Sequence, residues 1–72
     1  MKDIRAAIKF GKIIRQMRLE HDWTQLELAG EMDVDAAYIS RIELGKKNLS
    51  LETILKLAKV FGVKVWFGDK NL

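Results

Sequence analysis

The chain has 72 residues, no cysteine, no proline, a single histidine and a formal net charge of +3. One domain at most fits this length, with one small core. Disulfides and thiolate metal sites are excluded, and the lone His21 makes neither a zinc site nor an obvious Ser-His-Asp triad, so no metal or cofactor is expected. The mild positive charge allows an electrostatic contribution to nucleic-acid binding, short of the bias of an architectural DNA binder. Lack of cysteine suits a reducing interior such as the cytoplasm. No apolar stretch approaches the roughly 18–20 residues of a membrane span. Lys2, Asp3, Arg5, Lys9 and Lys12 lie among the N-terminal apolar residues, and no signal-peptide core is expected.

The runs of Leu, Ile, Ala, Glu and Lys favour an all-helical domain. The apolar residues Ile4, Ala7, Ile8, Phe10, Ile13, Ile14, Met17 and Leu19 recur at helical spacing and predict a first helix over about 3–21. Gly11 interrupts it at about 1 kcal/mol, so a second backbone is expected to pack closely there. His21 falls near the C-terminal end of that helix, where the dipole favours a cation. Thr24 and Glu27 form a T-x-x-E capping box, with Trp23 and Leu28 at hydrophobic-staple spacing. A second helix follows over about 24–31, with Leu28 and Ala29 inward. The stretch 31–35 leaves room only for a sharp turn, and Asp33 stands where left-handed backbone is needed.

Asp35 caps a third helix, about 36–44. Ile39 and Ile42 point inward, which turns Ala36, Ala37, Ser40 and Arg41 outward or sideways. Gly45 ends the helix as a left-handed cap. Ser50 caps a fourth helix, about 51–61, with Leu51, Ile54, Leu57, Ala58 and Phe61 inward and Gly62 as its stop. In 63–67, Val63, Val65 and Phe67 alternate with Lys64 and Trp66, the spacing of a strand. A lone strand leaves its backbone unpaired and needs a partner, such as the same segment of a second copy. A short fifth helix is the competing reading. Trp66 is expected in the core or in a dimer interface.

Two short helices joined by a tight turn on a helical scaffold make a helix-turn-helix. Periodicity alone gives a compact helical domain and says nothing of DNA. The specific residues say more: Gly11, Ile14, Arg15, Arg18, Thr24, Gln25, Leu28, Ala29, Val34, Tyr38, Ile39, Ser40, Ile42, Glu43, Gly45 and the stretch 48–58. Over about residues 9–63 they resemble the phage-repressor and Cro type of helix-turn-helix domain, the XRE family. The resemblance implies an all-α, compact four- or five-helix repressor-like fold, ending in a short C-terminal strand or a helix. One DNA-binding domain would span 1–72, with its core at 9–63 and a candidate dimerisation tail at 64–72.

The resemblance also assigns roles. Thr24 and Gln25 open the helix whose N-terminal amides face a DNA phosphate, with the Gln25 side chain as a phosphate clamp. The third helix is the recognition helix, and Ala36, Ala37, Ser40 and Arg41 stand where relatives touch base edges or adjoining backbone. Lys46, Lys47 and Asn48 would meet phosphates. Arg18 and Glu43 match a structural ion pair between the first and third helices. Two residues depart from the pattern. Asp33 replaces the usual turn glycine, and Ala36 and Ala37 replace polar residues. Alanine can touch only a thymine methyl, so base reading would rest on Arg41, Ser40 and Tyr38.

The expected function is that of a transcriptional regulator acting as a homodimer on double-stranded DNA at a roughly palindromic operator. Two subtypes fit: the controller of a restriction–modification system, suggested by the stretch 48–51, or an antitoxin-type repressor with a toxin partner, suggested by the tail. A protein-interaction module with little DNA role is the alternative from another class. No nucleophile–base pair, phosphate loop or metal cluster supports an enzyme.

Overall fold

The computed structural model describes residues 4–71, so the expected helix start at residue 3 lies outside the described residues. The elements run α1 (Ile4–Glu20), α2 (Gln25–Met32), α3 (Ala36–Glu43), α4 (Leu51–Phe61), β1 (Trp66–Phe67) and β2 (Lys70–Asn71). Each start after the first carries its expected cap. Thr24 and Glu27 close a reciprocal capping box, Asp35 accepts the Tyr38 amide at 2.8 Å, and Ser50 accepts the Thr53 amide at 3.1 Å. These bonds satisfy amides that the first helical turn leaves unpaired.

All four helices end in one pattern. A left-handed residue, Asp22, Asp33, Gly45 or Gly62, follows the last turn. The next amide reaches back five residues: Trp23 to Arg18, Val34 to Ala29, Lys46 to Arg41 and Val63 to Ala58, at 2.9 to 3.1 Å. This arrangement consumes the last carbonyls and reverses the chain at once. It makes the short α2–α3 turn possible, with Asp33 at φ 58° and ψ 45° as expected from its residue type. Asp22, at φ 57°, is a second left-handed aspartate, one that no local pattern announces.

The core comprises Ile14, Leu28, Ala29, Met32, Ile39, Ile42, Leu49, Leu57 and Phe61. α3 packs against both α1 and α2, and α4 packs on α2. On α1 the buried stripe is Ala7, Gly11, Ile14 and Arg18, whereas Ile13 and Leu19 face outward. Gly11 behaves as its place in a helix suggested. A Cβ there would lie 2.3 Å from the Ile42 carbonyl oxygen and 2.7 Å from that of Glu43.

Two further expectations fail. Leu51 faces solvent at 60% exposure, because Leu57 and Phe61 set the buried stripe of α4 and Leu51 lies about a quarter to a third of a turn round the helix from it. Of the expected strand 63–67 only Trp66–Phe67 is strand, no fifth helix forms there, and its pairing partner is β2 of the same chain. Trp66 pairs with Asn71 and Phe67 with Lys70 in an antiparallel hairpin closed at Gly68, φ 64°. A tight turn holding Gly68 and Asp69 brings the chain back on itself, so the local pairing needs no other molecule. Trp66 is 59% exposed and does not enter the core.

Candidate nucleic-acid interface

The inner face of α3 is fixed by burial of Ile39, Ile42 and Glu43. Half a helical turn away, about two residues along, the opposite face must emerge. Ala37 and Arg41, four residues apart, are exposed, and Ala36, Tyr38 and Ser40 are half-buried at the flanks of that face. None of the expected base-reading residues is enclosed. Past the helix, Lys46 and Asn48 are exposed while Lys47 is half-buried. The Lys47 ammonium sits 4.9 Å above the centre of the Tyr38 ring, a cation–π contact that links two expected interface residues and that spacing did not reveal.

The N-terminus of α2 is set by a charged network. Arg18 donates from Nε to Glu43 Oε2 at 2.7 Å and from Nη2 to Glu43 Oε1 at 3.1 Å. The expected ion pair is therefore bidentate, and both residues are buried. Arg18 Nη1 also donates to the Trp23 carbonyl at 2.8 Å, fastening the residue just before the cap. Gln25 Nε2 donates to Glu43 Oε1 at 3.1 Å. Gln25, expected at a phosphate, is thus also tied to α3 by a bond that local spacing does not reveal, because nothing in it brings residue 25 to residue 43.

The hydrogen bond to Glu43 raises the Arg18 pKa above its ordinary value; burial opposes this, and charge attraction adds to it. A base with a raised folded pKa contributes stability in full below its unfolded pKa and loses it only as pH rises through the folded one. For an arginine that window lies far above neutral, so Arg18 stays charged at any working pH. Among the described residues, no buried side-chain nitrogen or oxygen lacks a hydrogen-bond partner.

His21 stands at the end of α1, as placed from sequence. Its Nδ1 lies 3.0 Å from the Met17 carbonyl, and its ring meets Trp23 and Phe61 at 4.8 and 5.2 Å between centroids. The ring thus closes a small aromatic cluster joining α1, the α2 entry and α4. No helix among the described residues is long and apolar enough to cross a membrane.

The arrangement offers a helix N-terminus with free amides, an exposed short helix beside it and lysines at the rim. A family model described as helix-turn-helix matches residues 14–65. The chain is similar to control protein C.BamHI of Bacillus amyloliquefaciens, 45% identical over 56 residues, which span 76% of this chain and 69% of that protein. It is similar to control protein C.MunI of a Mycoplasma species, 38% identical over 64 residues, 88% of this chain and 84% of that one. Among solved structures, it resembles the restriction–modification controller protein C.AhdI from Aeromonas hydrophila. That match has a TM-score of 0.79 at 32% identity, covering 88% of this chain and 91% of the other.

Proposed function

This chain belongs to the XRE-type helix-turn-helix family, whose members are DNA-binding transcription regulators and not enzymes, and we propose that it acts as a homodimer on a roughly palindromic operator. The observation that carries the reading is the burial of Ile39, Ile42 and Glu43, which leaves Ala37 and Arg41 exposed on the opposite face of α3. A helix of this width fits the major groove of B-DNA. Arg41 supplies a bidentate donor for guanine, Ser40 and Tyr38 supply hydroxyls, and Ala36 and Ala37 meet thymine methyls. Thr24, Gln25, Lys46, Lys47 and Asn48 hold the flanking phosphates. Phosphate contacts provide affinity and register, and the few base contacts provide choice.

Dimerisation is supported by apolar side chains that the fold leaves in water. Leu51 and Leu55, one turn apart on α4, are 60% and 37% exposed, and Trp66 and Phe67 on the hairpin are 59% and 78% exposed. A second copy covering them would set two recognition helices about 34 Å apart, one turn of DNA. Among subtypes, the restriction–modification controller is favoured: C.BamHI, C.MunI and C.AhdI are all named as control or controller proteins. The antitoxin reading rests on the tails pairing as strands in a dimer; within one chain β1 pairs with β2. The site of action is the cytoplasm, where the DNA is.

Selection of bound sites from a random duplex pool, with light scattering on the free protein, tests the proposal. A selected palindrome with half-sites about one turn apart and a dimer mass are expected. A monomer that selects no sequence would overturn it.

A further inference from the structure

We infer that Glu43 is a positioning residue for the DNA phosphate contact: it holds one N–H of the Gln25 amide and thereby presents the other to the duplex. This rests on the DNA-binding reading above. A carboxylate only accepts hydrogen bonds, so the Gln25 group facing Glu43 Oε1 at 3.1 Å must be its nitrogen. That nitrogen carries two hydrogens. One is spent on Glu43; the second remains for a ligand, and Gln25, only half-buried, keeps an open side. A free glutamine could offer either end of its amide to solvent. Bound to Glu43, it offers a donor, which is what a phosphate needs.

The carboxylate can do this beside a polyanion because Arg18 neutralises it through two bonds, at 2.7 and 3.1 Å. The same guanidinium grips the Trp23 carbonyl, one residue before the Thr24 cap. One acidic side chain at the end of α3 thus fixes the amide that opens α2. The two elements assigned to DNA are locked to each other before DNA arrives.

The test is a mutant cycle on a 20-base-pair duplex of random sequence, with affinity measured as a function of salt for wild type, Gln25→Ala, Glu43→Gln and the double variant. All are assayed at a temperature where circular dichroism shows each fully folded. Gln25→Ala is expected to weaken binding about tenfold, the scale of one hydrogen bond to a charged group. It should leave the slope of log affinity against log salt unchanged, because a neutral amide displaces no counterion. Glu43→Gln should weaken binding to a similar degree and add less than twofold in the Gln25→Ala background. In 1H–15N spectra of the wild type, the two side-chain protons of Gln25 should resonate apart, and only one should shift on adding duplex. Fully additive losses, unchanged binding by Gln25→Ala, or equal movement of both protons would overturn the inference while leaving DNA binding intact. Failure of wild type to bind duplex at low salt would overturn both.

Discussion

Gly11→Ala separates local helix preference from tertiary packing. Gly11 lies inside α1, where alanine is favoured over glycine by about 1 kcal/mol. On propensity alone the variant is more stable. The tertiary geometry predicts the reverse. The new methyl would stand 2.3 Å from the Ile42 carbonyl oxygen and 2.7 Å from that of Glu43, both backbone atoms. Carbon–oxygen contacts settle at about 3.3–3.6 Å, so α1 must retreat from α3 by about 1 Å. Overpacking of this kind costs about 1–3 kcal/mol with side chains that can yield, and more against backbone. Retreat would also stretch the Arg18–Glu43 bonds across the same interface. Set against the propensity gain, a net loss of about 2 kcal/mol or more is expected. In a domain this small that lowers the melting temperature by about 8–16 °C. Gly30→Ala is the matched control. It also sits within a helix, but nothing stands within 4 Å of its added Cβ, so it should melt a few degrees above wild type. Thermal unfolding by circular dichroism reads both. If Gly11→Ala melts at or above wild type, the close contact between α1 and α3 is wrong.

Four further outcomes are expected. Glu43→Ala leaves the buried Arg18 guanidinium uncompensated and should cost about 3–5 kcal/mol in urea unfolding, well beyond a surface change; an unaltered midpoint would argue against the buried pair. Asp33→Gly keeps φ 58° without a side-chain penalty and should raise stability by about 1 kcal/mol; a lower melting temperature would show that the aspartate carboxyl contributes more than its backbone strain costs. On DNA, Arg41→Ala should relax one position of the selected site at a cost of about 1–3 kcal/mol, whereas Lys46→Ala should weaken all duplexes alike and reduce the salt slope by about 1; an unchanged site preference in the first would dismiss Arg41 as a base reader.

Much of this protein was decided locally, and that part could be read from the sequence. Helix starts follow from Thr24, Asp35 and Ser50, whose side chains reach amides only three residues away. The ends at Gly45 and Gly62 follow from a residue type that accepts left-handed backbone. Residue spacing gave the inner faces of α2 and α3, and Gly11 announced a close neighbour without saying which. What only the tertiary structure decided is where distant segments meet. The partner of Gly11, the bond from Gln25 to Glu43, the Arg18 grip on Trp23 and the seat of Lys47 over Tyr38 all join atoms that no helical repeat brings together. The same reason explains Leu51: its hydrophobicity argued for burial, but the side of α4 that is buried was set by where α2 stood. The tail pairs with its own continuation because a hairpin turn costs less entropy to close than an encounter with a second chain.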